Sequence, residues 1–495
     1  MKKVLLLFAF FALAVNDASA QSSFEEFQKK VKKEFGDFKT KTENEYDEFR
    51  RKVNAEYAEM VRKAWKEYNA LAGIPIKEKD KPAPPIKYPE KDKDKPVKDT
   101  PKPIDVVVKP VTPKPQPEPI APIEEKEDPV PTYLTFNFYG AQMQVRYDDN
   151  AKVNLRSVNA NGIADAWVNL SNSDLNNTIS DLLSLRSKYK MCDWAYLSLL
   201  NTFAQKVKSS KNEATLLTAF LYSQSGYKMR MATSGNTIVM LYASDALVYK
   251  VGYYLIEGEK FYPYNHEGKN LSICAAKYPK ERAMSFYISS EQHFGTSKSD
   301  MRTIQSKRYE SMKATCRTNK TLMDFYNTYP TSSVNDDFGT RWALYANTPV
   351  TAEAKSTLYP QLKAALTGKS EAVAVNMLLN WVQTGFVYEY DDKVWGGDRA
   401  FFPDETLYYP YCDCEDRSIL FTRLVRDLLG LKCILIYYPG HLATAVHFTK
   451  DDVTGDYVSV GGVRYVISDP TYIGAPVGAT MPGMNNGSAK AILLD

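Results

Sequence analysis

Three side chains in the last third of the chain have the types that nucleophilic acyl chemistry needs: Cys414, His441 and Asp469. A thiol becomes an effective nucleophile when a helix N-terminus and a nearby imidazole lower its pKa. Cys414 stands just ahead of residues 416–429, in which Ile419, Leu420, Leu424, Val425 and Leu428 fall on one helical face. Its sulfur is therefore expected over the open N–H groups and positive end of that helix, where a tetrahedral oxyanion would also be held. His441 follows Pro439-Gly440 and opens a strand; Asp469 ends another, ahead of Pro470-Thr471-Tyr472. Nucleophile, base and orienting carboxylate make a workable triad.

Other roles are open to the same residues. Cys414 could be an ordinary buried cysteine, or bridged to Cys412 or Cys433. His447 falls on the same strand face as His441 but lacks the Pro-Gly turn that exposes it. Asp416 could serve only as a carboxylate favourable to the helix dipole, partnered by Arg417 or Arg426. Cys412, Cys414, His441 and His447 are zinc-ligand types, but a Cys-x-Cys pair and a His spacing of six fit structural zinc poorly. No metal or other cofactor is expected. The aromatic residues Trp395, Phe401, Phe402, Tyr408, Tyr409 and Tyr411 either wall a substrate cleft or fill a core.

These residues resemble the transglutaminase-like superfamily, in a secreted bacterial form. The resemblance rests on Cys414-Glu415-Asp416, Arg426 to Gly430, Gly440-His441 and Asp469-Pro470-Thr471, in the family's order over roughly a quarter of the chain. It implies a papain-like α+β core with Cys414, His441 and Asp469 as the triad. It also implies a thioester formed from a carboxamide or peptide carbonyl and passed to water or an amine. Two features depart from the pattern. Leu442-Ala443-Thr444 replace the aromatic and acidic residues expected after the histidine, and the His-to-Asp interval of 28 calls for an extra hairpin loop around 450–456.

The elements that must position this chemistry read as a helical run, 371–384 and 416–429, followed by strands at 432–437, 442–448, 456–460 and 464–468. Helices first and antiparallel strands after give an α+β domain over 335–495. Residues 132–334 repeat that grammar, with a strand at 133–138, helices at 194–207 and 212–225, and strands at 237–242 and 247–256. Placing Gly226 on Gly430 brings Lys228 onto Lys432 and Leu216 onto Leu420, so 132–334 reads as a degenerate copy in which Ser210 stands where Cys414 does.

Ahead of both lie three further segments. Residues 1–20 have two lysines, a short apolar run and Ala18-Ser19-Ala20, the pattern of a signal peptide cut before Gln21. Residues 21–73 carry an eleven-residue repeat whose Phe, Tyr, Val and Met positions form one stripe on a straight amphipathic helix. The stripe over 24–72 suits a partner helix, including a second copy of this chain; a membrane surface or the chain's own domains are the other options. Residues 75–131 hold 16 of the 27 prolines among Lys, Glu and Asp, and read as an extended or disordered spacer.

A net charge of +4 with 44% hydrophobic residues asks for no nucleic acid, and no run beyond the signal is apolar enough to span a membrane. Six cysteines do not make a disulfide scaffold. The expected protein is exported, periplasmic or secreted, with a protein or peptide substrate. It is either a cysteine amidase or peptidase, or a non-catalytic surface scaffold that uses the same fold.

Overall fold

The N-terminal helix runs over Ala18–Val61 and stops well short of residue 73. After it, the alternating Trp65–Tyr68 extends the edge of a sheet, antiparallel to Leu271–Cys274. The Trp65 indole N–H caps the helix by donating to the Val61 carbonyl. The described residues of this computed structural model are 18–74, 80–93, 95–128, 130–148, 153–334, 337–450 and 452–495, so the signal segment lies outside them up to residue 17.

The buried face of the long helix differs from the predicted stripe. Val53, Tyr57, Ala58 and Val61 are buried, whereas Phe49 and Met60 are 47% and 42% exposed. Polar groups turn the helix. Asn54 exchanges hydrogen bonds with Gln224 and accepts one from the Trp167 indole at 2.9 Å, while Arg50 pairs with Asp47. Tyr57 packs against Trp167 at 4.9 Å between ring centres. The C-terminal third of the helix is thus docked on the chain itself.

The molecule is mixed α/β, and its two large curled sheets share one connectivity. The first is built from Met229–Ser234, Thr237–Ala243, Tyr254–Ile256, Glu259–Pro263 and Leu271–Cys274. The second is built from Lys432–Tyr438, His441–His447, Asp456–Val460, Val463–Ile467 and Lys490–Leu493. Counted along the chain, the five strands lie fifth, first, second, fourth, third across each sheet, antiparallel throughout. A helix leads into each, Lys211–Gln224 and Cys414–Leu429. Both helices are followed by a left-handed glycine, Gly226 at φ +90° and Gly430 at φ +70°. At Gly226 a side chain is excluded twice over, because a Cβ would also lie 1.9 Å from the Glu118 carbonyl oxygen.

The proline-rich segment does not hold the parts of the molecule at a distance. Its Thr100–Pro101 pairs in parallel with Asp456–Val460 and its Val106–Val108 with Lys490–Leu493, so it borders the second sheet on both edges. An apolar island inside the charged sequence drives this docking: Ile104, Val108 and Val111 are buried. The boundary expected near residue 335 is also not clean. The hairpin Arg302–Gln305/Lys313–Cys316 packs with the later helices, and the Trp381 indole donates to Ile304 O at 3.2 Å. Conversely, Trp342 and Tyr345 of Thr340–Asn347 lie in a core cluster that runs from the earlier unit into the later one, as far as Ile419, Leu435 and Leu442. Among the described residues, no helix is long and apolar enough to cross a membrane.

Candidate active site

Cys414 is the first residue of its helix, two positions earlier than expected. Asp413 is the N-cap: its carboxylate accepts from Glu415 N at 3.0 Å, and Asp416 reaches back to accept from Asp413 N at 3.1 Å. This reciprocal capping box fixes where the helix starts and sets the cysteine on its first turn. Asp416 also accepts from Phe401 N at 2.9 Å. Its partners are therefore backbone amides, not Arg417 or Arg426. Arg417 instead donates to Gln383 O and Phe386 O, and Arg426 to Asn347 and the last residue. Burial, reinforced by the carboxylates of Asp413, Asp391 and Glu415, holds the Asp416 carboxyl well above the usual range.

His441 opens the strand that pairs with Lys432–Tyr438 and packs beneath the helix. One turn along from Cys414, the Ser418 hydroxyl donates to Leu442 O at 2.7 Å, tying the start of the helix to the residue after His441. His441 Nε2 lies 2.8 Å from Asp469 Oδ2, and both residues are buried. If Nε2 carries the proton and donates it to the carboxylate, Nδ1 is left as the basic nitrogen, and Nδ1 makes no hydrogen bond among the described residues. Asp469 is held in turn: its Oδ1 accepts from Thr471 N at 2.8 Å and Tyr472 N at 3.2 Å. His447 sits at the opposite end of the same strand, roughly 20 Å away at 3.3 Å per residue, and its Nδ1 lies 3.0 Å from Arg464 O. The four zinc-type residues therefore do not converge on one point.

None of the six cysteines is bridged. Burial pushes five thiols up: Cys274 and Cys412 to about 11, and Cys192, Cys316 and Cys433 to about 12. These are inert thiols in the sense that matters for nucleophilicity.

Several residues that bear on the site carry no signal in the sequence. Gln383, on the helix Glu371–Gly385, is buried. Its amide donates to the carbonyls of Asp469, Tyr472 and Ala475 at 3.0, 2.8 and 3.1 Å and accepts from Gly474 N at 3.1 Å. It pins the loop that carries Asp469. Arg341 and Trp342 both bind the Glu415 carboxylate, at 2.7 and 2.9 Å, and Arg341 also pairs with Asp398 at 2.5 Å. Tyr388 lies under the Arg417 guanidinium at 5.2 Å, and its buried hydroxyl has no hydrogen-bond partner among the described residues. Burial, with Cys414 and Asp413 close by, keeps that hydroxyl protonated.

No protein-family model matches this sequence, and no curated protein matches it. The site therefore stands on its own geometry.

Part of the aromatic run ahead of Cys414 fills a core. Phe401 and Phe402 are core, the latter stacked on Tyr326 at 4.1 Å. Trp395 and Phe402 also line a cavity of about 300 Å³ with Tyr326, Tyr345, Arg399 and Glu405, and none of Cys414, His441 and Asp469 lines it, so it does not place these rings at a substrate cleft.

Proposed function

We propose that this chain is an exported cysteine amidase or peptidase of transglutaminase-like type, in which Cys414 is the nucleophile, His441 the base and Asp469 the orienting group. The observation that carries this reading is the buried His441–Asp469 pair, with its second ring nitrogen uncommitted, tied to the first turns of a helix that starts on a cysteine. In this scheme Nδ1 takes the thiol proton and the sulfur attacks an amide carbonyl. The imidazolium then returns the proton to the departing amine. A thioester remains, and water activated by the same nitrogen cleaves it to acid and free thiol. The shared connectivity of the two sheets supports reading the earlier unit as a degenerate copy of the C-terminal one. In the earlier unit, Ser210 caps the equivalent helix and Thr237 opens the equivalent strand, so neither thiol nor imidazole is present there.

One measurement tests the nucleophile. Limited alkylation with iodoacetamide at pH 7, read by peptide mass spectrometry, is expected to label Cys414 at least tenfold faster than any other cysteine. The His441→Ala variant should lose that advantage. Equal labelling of all six, both in the native chain and in an Asp80→Ala/Ala83→Pro variant that frees the segment beside His441, would remove the enzyme reading. A non-catalytic scaffold is the second reading, and one observation favours it: Cys414, His441 and Asp469 are only 2%, 1% and 2% exposed. A Cys414→Ala protein that folds and keeps its full cellular effect would decide for the scaffold.

A further inference from the structure

Part of the proline-rich segment is bound beside His441 and Asp469. Residues 80–88 of the proline-rich segment lie across the two loops that carry His441 and Asp469. At one end the Tyr437 hydroxyl donates to the Asp80 carboxylate, and Ala83 N donates to Gly440 O at 2.8 Å. Gly440 immediately precedes His441 and has φ +78°; a Cβ there would meet the Lys81 carbonyl oxygen at 2.3 Å. At the other end Ile473 N donates to Ile86 O at 2.8 Å and Tyr88 N to Ile473 O at 2.9 Å, a parallel bridge centred on Lys87 and Ile473. The Tyr88 ring meets the edge of Tyr472 at 5.3 Å, and Ala83, Ile86 and Tyr88 pack on Tyr472, Ala475, Ala479 and Met481. Nine residues thus touch both the turn before the base and the loop after the orienting acid.

These contacts are of the kind that hold a bound peptide. The backbone is extended, main-chain hydrogen bonds anchor it at two points, one aromatic ring docks, and three prolines lower the entropy cost of the extended form. We infer that residues 80–88 fill, as a displaceable plug, the groove in which a substrate polypeptide lies, and that this groove takes an extended, proline-tolerant peptide running parallel to residues 472–474. The inference rests on Cys414 being the nucleophile the groove serves. It turns the expected spacer into the element that governs access to the sulfur.

The test uses the full chain and two strap variants remote from the triad. Ala83→Pro removes only the N–H given to Gly440, in a stretch where prolines already flank the position. Asp80→Ala removes the contact with Tyr437 from an exposed site and carries little risk to folding. The iodoacetamide labelling rate of Cys414 should rise at least tenfold in the double variant and several-fold in Asp80→Ala. Adding a synthetic peptide of residues 80–93 in trans should slow it again. Hydrogen exchange at Tyr88 and Ile473 reports whether the strap has left. Strap release with no change in the Cys414 rate would overturn the plug, as would a wild-type rate already equal to that of an exposed thiol. The nucleophile reading fails separately: once the strap is released, its failure is a Cys414 that reacts only at the high pH of an ordinary thiol, an outcome in which faster labelling still supports the plug.

Discussion

The geometry of the candidate site at the residue scale depends on groups outside the proposed triad, and Gln383 is the clearest case. Its one side-chain amide serves three carbonyls and one N–H of residues 469–475, all inside the protein. Gln383→Leu would keep much of the volume and leave three of those groups unpaired, since the Tyr472 carbonyl still accepts from Ala475 N at 3.1 Å. At 1–3 kcal/mol for each stranded group after partial relaxation, a loss of about 3 kcal/mol is expected, read from the midpoint of urea unfolding. Because Asp469 O is among the three, the variant should also lower the labelling rate of Cys414 at neutral pH, and Gln383→Glu should restore only part of it. Of the site, the sequence made legible only the residues whose chemistry is written in their type and their turn: a cysteine before an amphipathic helix, a histidine after Pro-Gly, an aspartate before Pro-Thr. A glutamine in mid-helix, or an arginine far upstream that meets Glu415, looks like any other polar residue until the chain is folded.

At the scale of elements, composition misled where a short pattern was embedded in a long one. The proline and lysine content of 75–131 hides the island from Ile104 to Val111, and edge strands as short as Val106–Val108 lack the length that periodicity needs. The start of the Cys414 helix was missed for a related reason: the capping box is Asp413-x-x-Asp416, and aspartate at its far end is a weaker signal than glutamate or glutamine. Helix starts also decide a pH dependence. The short helix Pro403–Tyr408 begins with the Glu405 carboxylate accepting from Phe402 N at 2.9 Å. Burial outweighs the nearby Arg399 and pushes this carboxyl from 4.5 up to about 7. Between those two values the folded protein holds a proton that the unfolded chain has lost. Its contribution to stability is therefore full below pH 4.5 and disappears as the pH rises through 7. Removing the titration with Glu405→Gln should flatten the fall in unfolding free energy across that window by about 3 kcal/mol, at 1.36 kcal/mol per unit. Chemical denaturation at half-unit pH steps would show it, and an unchanged slope would mean that the carboxyl titrates normally.

Over the whole molecule, the two sheets of identical strand order form the body, and among the described side chains of the long helix only some from Asp47 onward are buried against it. At 1.5 Å per residue the 44 residues of Ala18–Val61 span about 66 Å. The described side chains between Lys29 and Glu45 are exposed or half-buried. The two portions should therefore differ sharply in what they contribute to stability. Removing residues 18–44 should shift the melting temperature of the body by no more than a degree or two and leave Cys414 labelling unchanged. Tyr57→Ala, in contrast, empties a site between Trp167 and Tyr278 and should cost about 3–5 kcal/mol. The eleven-residue pattern runs through both portions without a break, so the sequence gives no sign of where the helix leaves the body. Asn54 and Arg50 supply part of that information, because their hydrogen bonds to Gln224 and to the Pro122 carbonyl turn their face inward. If the truncated protein melts as early as the Tyr57→Ala variant, the free portion packs on the body in solution and the helix acts as one structural unit. If it melts with the full chain, the first half is left available for a partner, and sedimentation of the two forms side by side would show whether that partner is a second copy.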